Sequence, residues 1–167
     1  MRPVKEIIKK LALQPHPEGG YFKETYRSAD SIPADVLDEN FDSKRSVSTG
    51  IYYLLESGNF SALHKINQDE MWHFYLGTSV ELTMIAENGE LKKVTIGNNI
   101  IKGEICQFVV PKHYWFGAKL EKENSYALVG CTVAPGFAFN DFTLGKREHL
   151  LKLFPQHTEA IIALTRL

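Results

Sequence analysis

The sequence predicts an all-β fold, an antiparallel sandwich or barrel with a short helix before it and two short helices after it. Its 167 residues are enough for one domain with a sizeable core and too few for two of ordinary size. Eight short β-rich segments follow one another after Arg45 with no long helical pattern between them. Glycine and asparagine turn signals separate most of these segments, and Asn88-Gly89 is a strong hairpin signal.

The first helix is predicted from Pro3 to Leu13, because apolar residues recur there at helical spacing and Pro3 suits a first turn. The segment from His16 to Gly20 breaks that pattern, and Tyr21–Arg27 then alternates as a half-exposed strand does. Residues 28–45 are polar and acidic and predict a long surface loop. Such a loop is either a functional, lid-like element or a solvated insertion.

The eight segments after this loop predict the strands of the sandwich or barrel. They are Val47–Leu55, Ser61–Ile66, Glu70–Leu76, Val80–Ala86, Leu91–Ile96, Ile105–Val110, Tyr114–Leu120 and Tyr126–Val133. After Gly145, leucines and isoleucines recur at mixed helical spacing on both sides of Pro155, which predicts two short helices.

Composition disfavours several functional classes. Nineteen Lys and Arg against twenty Asp and Glu give a formal net charge of −1, so we expect no nucleic-acid partner. No apolar run approaches the roughly 20 residues of a membrane span, and charges are spread through the first residues, MRPVKEIIKKL, so we expect a cytoplasmic protein without a membrane partner. Cys106 and Cys131 lie in apolar segments and are expected to be buried, reduced thiols.

The spacing of four residues matches a known metal-binding pattern. Gly58, His64, Glu70 and Gly77 follow the pattern G-x5-H-x-H-x3-E-x6-G, with Ile66 in the place of the second histidine. This pattern resembles the first metal-binding motif of the cupin superfamily. The sequence therefore retains one histidine and the glutamate of that motif and has lost one ligand.

The second cupin motif, G-x5-P-x-G-x2-H-x3-N, is eroded further. Pro111 is present, but His113 stands in the place of the second glycine and Phe116 in the place of the histidine. Catalytic zinc sites generally have three protein ligands, whereas these motifs supply two. We therefore expect no cofactor, and a weakly bound divalent metal at His64 and Glu70 is the alternative.

Longer blocks resemble one branch of that superfamily, the cupin-5 or DUF985 family. The blocks are HPEGGYFKETYRS (16–28), STGIYYLL (48–55), SALHKINQDEMWHFYLG (61–77), GEICQFVVPKHYWFGA (103–118) and YALVGCTVAPGFAFNDFTLG (126–145). The resemblance implies that residues 1–167 form a single cupin domain, a double-stranded β-helix or jelly roll, commonly a homodimer with a ligand pocket in one end of the barrel. It implies no particular reaction, because cupins include epimerases, isomerases, oxygenases and binding proteins.

Strand alternation predicts which side chains share the pocket. If His64 points into the barrel, as the motif requires, Glu70 should point in beside it, and the imidazole would be the partner that a buried carboxylate needs. Such a pair could transfer protons. The residues expected to contact a ring-shaped ligand are Trp72, Gln107, Tyr114, Phe116 and Tyr52. For Gln107 a polar contact at the side of the sheet is an equal alternative.

Three functions follow from this pocket. The preferred hypothesis is a small-molecule-binding cupin that acts as a metal-independent epimerase or isomerase on a sugar- or nucleotide-like metabolite, with His64 and Glu70 as its catalytic residues. The alternatives are a non-catalytic ligand-binding or sensing protein and a metal-dependent cupin oxygenase.

The residues just before and within the first predicted strand give two further expectations. Gly19 and Gly20 would permit positive φ or close backbone approach, while His16 and Glu18 would border the barrel mouth or a dimer seam, with a structural role favoured. Glu24 and Arg27 are three apart on a strand, which places them on opposite faces and predicts no salt bridge.

Overall fold

Two large antiparallel sheets, a small two-stranded one and three short α-helices form the regular structure of residues 2–167, the part of the chain that the computed structural model describes. The helices are α1 (Arg2–Leu11), α2 (Arg147–Leu153) and α3 (Thr158–Ala163). The strands are β1 (Gln14–Pro15), β2 (Tyr21–Arg27), β3 (Ser31–Ile32), β4 (Arg45–Ser46), β5 (Thr49–Glu56), β6 (Phe60–Lys65), β7 (Asp69–Gly77), β8 (Val80–Ile85), β9 (Leu91–Ile96), β10 (Gln107–Val110), β11 (Trp115–Lys119), β12 (Tyr126–Ala134) and β13 (Thr143–Leu144). Short 3₁₀ turns occupy Ala34–Val36, Ile100–Lys102, Phe139–Asp141 and Pro155–His157.

The larger sheet has the strand order β1-β2-β5-β12-β7-β10, and the smaller one the order β13-β6-β11-β8-β9. The all-β prediction is confirmed, and each of the predicted strands lies within a few residues of an observed one. Asn88-Gly89 forms the predicted hairpin between β8 and β9: Gly89 has a φ of 84°, and its N–H donates to the carbonyl of Ala86 at 2.9 Å.

Apolar side chains from facing strands fill the space between the two sheets. The largest buried members of this core are Tyr53, Trp72, Leu82, Met84 and Phe116. A second cluster lies where α2 and α3 cover the smaller sheet, and a third where α1 covers part of the outer face of the larger sheet. Since these helices occupy outer faces, they leave the interior of the roll to the strands.

Two predictions about individual residues are wrong. Glu24 and Arg27 form a salt bridge, because the register of β2 against β5 shifts between Glu24 and Tyr26 and this bulge turns both side chains to the same side. Cys131 is buried as predicted, but Cys106 is exposed because it precedes the short edge strand β10.

None of the helices between Arg2 and Leu167 has both the length and the apolar character needed to cross a membrane. The acidic stretch 28–45 is a surface loop with little regular structure, as predicted, and pairs with itself only through β3 and β4.

Candidate functional site

A cavity of about 190 Å³ opens between the inner face of the larger sheet, the end of β6 and the segment after β12. Its polar lining consists of His16, Glu18, Glu24, Arg27, Thr49, Tyr53, His64 and Glu70. Its apolar lining consists of Phe22, Ile51, Ile66, Cys131, Val133, Phe137, Ala138, Phe139 and Phe142. The first set, rich in titratable groups, is called the polar side of the cavity, and the second, which includes four phenylalanines, its aromatic side.

Glu18 is the centre of the polar side. One of its carboxylate oxygens, Oε2, lies 3.1 Å from Nε2 of His64 and 3.3 Å from Nδ1 of His16. The other, Oε1, accepts a hydrogen bond of 2.8 Å from the hydroxyl of Ser61. Glu18 and His64 are 6% and 2% exposed, so this contact is shielded from solvent.

The turn from His16 to Gly20 brings Glu18 to this position. It closes through the N–H of Gly19, which donates to the carbonyl of His16 at 3.0 Å, and Gly19 and Gly20 both have positive φ, as predicted. The carbonyl of Glu18 accepts the N–H of Ala62 at 2.9 Å, which ties the turn to β6. A Cβ atom on Gly19 would lie only 2.2 Å from the carbonyl oxygen of Phe60, so this approach requires glycine.

Hydrogen-bond geometry fixes the protons of His64. Its Nδ1 lies 2.7 Å from the carbonyl oxygen of Ala62 and must donate, so Nε2 is the atom that gains and loses a proton next to Glu18. Burial raises the pKa of Glu18, but the charges of His64 and His16 and the hydrogen bonds of His16 and Ser61 outweigh it and bring the pKa to about 2. Burial lowers the pKa of His64, and the charge of Glu18 opposes that shift. Nε2 is thus a base whose protonated form is stabilised by a carboxylate.

Glu70 lies on the same side of the cavity in the opposite protonation state. It lies on the inner face of β7, opposite Val133 of β12 and Val110 of β10. Burial, and secondarily the charge of Glu18, raise its pKa to about 8, although the thiol of Cys131 and the indole of Trp72 oppose the shift. At neutral pH Glu70 therefore carries a proton and Glu18 does not.

The rim of the cavity carries an ion pair. Arg27 donates from Nε and Nη2 to the two oxygens of Glu24 at 2.9 and 2.7 Å, and Nη2 also donates to the carbonyl of Phe137 at 3.0 Å. Both side chains are partly exposed, at 43% and 40%. The pair therefore marks the boundary between the cavity and solvent.

The aromatic side comes mainly from the segment that follows β12. The ring of His16 is edge-on to Phe22, with centroids 4.6 Å apart, and stacks on Phe139 at 5.9 Å. The ring of His64 lies 5.2 Å from that of Phe142. The imidazole rings of His16 and His64 therefore pack directly on phenylalanines of this segment.

A buried ion pair holds this aromatic segment in place. Arg45, from the end of the acidic loop, donates from Nε and Nη2 to the two oxygens of Asp141 at 2.8 and 2.5 Å. The amide of Gln68 also donates to Asp141, at 2.6 Å. Since Asp141 lies between Phe139 and Phe142, the loop 28–45 contributes to the shape of the cavity from outside it.

The family model described as Cupin superfamily (DUF985), Cupin_5, matches residues 5–145. The chain belongs to this cupin family. Membership accounts for the two sheets and for the position of the cavity inside the roll, and it confirms the resemblance seen in the sequence.

Relatives of this cupin occur in bacteria, yeast and a protozoan. Uncharacterized protein YML079W of Saccharomyces cerevisiae is 32% identical over 159 residues, which are 89% of this chain and 78% of the yeast protein. Protein SO0799 from Shewanella oneidensis is 38% identical, with a TM-score of 0.88 over 97% of this chain and 96% of that one. A hypothetical protein from Leishmania major is 31% identical, with a TM-score of 0.89 over 98% of both chains.

The structure brings the two predicted catalytic residues of this cupin, His64 and Glu70, to one cavity. The carboxylate in contact with His64 is Glu18, however, where the sequence predicted Glu70. The predicted ligand contacts Trp72 and Phe116 lie behind the cavity wall. Phe116 packs on the ring of His64 with centroids 4.1 Å apart, and Trp72 lies 5.9 Å from Tyr53.

The other three predicted ligand contacts lie away from the cavity. On β5 the inward residues are Ile51 and Tyr53, so Tyr52 points outward and packs on Tyr75 at 5.9 Å. Gln107 lies on the exposed side of β10 and donates to His73 at 3.0 Å, which is the alternative side-of-sheet contact. Tyr114 packs, partly buried, against the core. The aromatic residues that line the cavity are instead Phe22, Phe137, Phe139 and Phe142.

The cupin metal site does not fit these residues. Ile66 and Phe116 occupy two of the four ligand positions in the motifs, and apolar side chains offer no donor atom. Between residues 2 and 167 no group of three or more His, Cys, Asp or Glu is arranged to hold a metal ion.

Proposed function

We propose that this cupin binds a compact small molecule in its cavity and moves a proton on it without a metal, as an epimerase or isomerase does. One observation carries the proposal: the base His64, backed by Glu18, and the protonated acid Glu70 line the same cavity. Environments that push the pKa values of two carboxyl groups apart, here to about 2 and about 8, are typical of acid–base catalysis.

The groups fit a proton transfer next to a carbonyl. Nε2 of His64 would take the proton from the carbon beside the carbonyl group, and the carboxylate of Glu18 would stabilise the imidazolium that forms. The electron pair of the broken C–H bond moves towards the carbonyl oxygen, which receives the proton of Glu70. Returning a proton to the opposite face of the same carbon, while the enol oxygen gives its proton back to Glu70, gives the epimer. Returning the proton to the former carbonyl carbon, while the hydroxyl on the neighbouring carbon gives its proton to Glu70 and becomes the new carbonyl, gives the isomer.

The shape of the cavity supports a ring-shaped substrate. Its phenylalanine rings would pack on the apolar face of a sugar- or nucleotide-like ring, and its carboxyl and imidazole groups would bond to the polar substituents of that ring. The volume of about 190 Å³ is below the roughly 300–1,000 Å³ of pockets for drug-sized ligands. We therefore expect a single ring, or one ring of a larger molecule that extends past the Glu24–Arg27 pair.

Deuterium exchange tests this proposal. A panel of aldoses, ketoses and nucleotide-linked sugars would be incubated with the protein in D₂O, and ¹H NMR would follow loss of the proton beside each carbonyl. For a substrate that exchanges, Glu18→Gln and Glu70→Gln should each lower the rate by about 10²–10⁴-fold, the usual contribution of one acid or base. Glu56→Gln on β5, outside the cavity, is the matched control, and treatment with EDTA should leave the rate unchanged. Full exchange by either cavity variant would contradict the proposal.

A ligand-binding or sensing protein is the second candidate, favoured by the loss of two motif ligands at Ile66 and Phe116. A compound from the same panel that raises the melting temperature and is recovered unchanged would support it. A homodimer and a cytoplasmic location stay predictions from the resemblance and the composition. Light scattering at micromolar concentration checks the first of these.

A further inference from the structure

A side chain from the segment after α3 holds the backbone of Glu18. Nη1 of Arg166 donates to the carbonyl oxygen of Glu18 at 2.6 Å. Its Nη2 donates to Oδ1 of Asn59 at 3.1 Å and to the carbonyl oxygen of Phe60 at 3.0 Å. One planar guanidinium therefore joins the turn that carries Glu18 to the turn between β5 and β6.

The fit around this guanidinium is close. Its carbon lies 4.3 Å from the centroid of the Phe60 ring. A Cβ atom added to Gly19 would lie 2.4 Å from Nη2 of Arg166, so the turn packs on the guanidinium with no side chain between them. Together with the N–H of Ala62, Arg166 gives the carbonyl of Glu18 two donors.

The backbone that carries Arg166 is itself anchored. The N–H of Leu63 on β6 donates to the carbonyl of Leu164 at 2.7 Å. Nε of Arg147 donates to the hydroxyl of Thr165 at 2.9 Å, and Thr165 is 2% exposed. Arg166 thus reaches the Glu18 turn from a fixed position, although it does not line the cavity.

We propose that Arg166 is a positioning residue for the Glu18–His64 pair, a role that rests on the proposed function of that pair. The reason is geometric: the guanidinium donates to three oxygens on two turns at once, and thereby sets the point from which the Glu18 side chain extends to Nε2 of His64. Misplacing a reacting group by about 1 Å can cost on the order of 10²-fold in rate. Arg166 would therefore govern proton transfer without contacting a substrate.

The apparent pKa of His64 can be measured by NMR in histidine-labelled protein. The direction in which this pKa changes in variants tests the role of Arg166. Glu18→Gln removes the carboxylate that stabilises the imidazolium, so the pKa should fall. Arg166→Gln should lower it in the same direction, by about one unit or tenfold in proton affinity, because Glu18 is displaced. Loss of a positive charge alone would instead raise the pKa. The titratable groups that line the cavity with His64 are His16, Glu18, Glu24, Arg27, Tyr53, Glu70 and Cys131, and all are retained in Arg166→Gln.

Two further variants complete the test. Lys152→Gln removes a positive charge from the same surface groove without touching Glu18, and should leave the titration of His64 unchanged. Arg166→Lys keeps the positive charge but loses the three-point contact, so it should lower the pKa of His64 as Arg166→Gln does. If Arg166→Gln does not fold, Arg166→Lys by itself provides the test. A rise or no change in the Arg166 variants would overturn the proposal. No change in Glu18→Gln would instead refute the proposed pair.

Discussion

The guanidinium of Arg45 and the carboxylate of Asp141 form a buried two-point ion pair between residues 96 positions apart. Both side chains are at most 3% exposed. The pair joins the acidic loop to the 3₁₀ turn Phe139–Asp141, whose phenylalanine lines the cavity. This buried ion pair therefore connects a surface loop to the shape of the candidate site.

Asp141→Asn should destabilise the protein by about 3–5 kcal/mol, because it leaves the charge of Arg45 buried beside a neutral amide. Urea unfolding measures this difference. Asp42→Asn is the control, since Asp42 also contacts Arg45, at 2.9 Å, but has an exposed side chain, and its effect should be much smaller. Equal effects of the two changes would contradict the importance of the buried contact.

Glu70 should make the stability of the protein fall as pH rises. Its pKa is about 8 in the folded protein against 4.5 for an ordinary glutamate, so between these values the folded state binds the extra proton. The stabilisation is complete below about pH 4.5 and lost as pH rises through about 8, a total of roughly 5 kcal/mol at most. In Glu70→Gln this component of the pH dependence should disappear, so the variant should exceed the wild type in stability at pH 9. Urea titrations at pH 5.5 and 9 check this, with Glu56→Gln as control.

Gly77→Ala should cost more stability than Gly58→Ala, although both glycines belong to the cupin motif and both have positive φ. A Cβ on Gly77 would lie 2.2 Å from the carbonyl oxygen of Tyr126, whereas one on Gly58 would meet nothing within 4 Å. Gly58→Ala should therefore cost only the roughly 1–2 kcal/mol of a left-handed alanine. Thermal unfolding distinguishes the two, and a larger loss for Gly58→Ala would show that the contact at Tyr126 is easily relieved.

The two cysteines should differ in reactivity towards a thiol reagent. Cys106 is exposed, while Cys131 is buried and burial raises the pKa of its thiol well above the ordinary value. Mass spectrometry after brief alkylation should find one modified thiol per native chain and two in denaturant. Cys106→Ser should abolish the native reaction. Rapid labelling of Cys131 in that variant would indicate that the cavity admits the reagent.

Local patterns were sufficient to predict the three α-helices and the longer strands of this fold, but they did not predict the two-residue strands β1, β3, β4 and β13. Tyr21–Arg27 and Leu91–Ile96 form strands with the predicted bounds. The alternation of apolar and polar residues that indicates a half-buried strand can be seen within such a short segment. The same reasoning gave a wrong prediction for Glu24 and Arg27, which form a salt bridge. Their bulge depends on how β2 pairs with β5, and pairing partners are not visible in a seven-residue segment.

In the candidate site, only residues of the first cupin motif could be predicted from the sequence. His64 and Glu70 lie in the cavity, but Glu18 reaches His64 through a contact between residues 46 positions apart, which no periodicity encodes. The one signal in the sequence was the composition of His16–Gly20, where two glycines accompany a histidine and a glutamate. In the structure both glycines have positive φ. That signal indicated a tight turn without saying which strand the turn would meet.

Glu18 projects from a turn that belongs to neither sheet, and the aromatic side of the cavity comes from a segment beyond β12. Substitutions in these two short stretches can change the residues that line the cavity while every strand keeps its neighbours. The lining of the cavity can therefore vary independently of the two sheets.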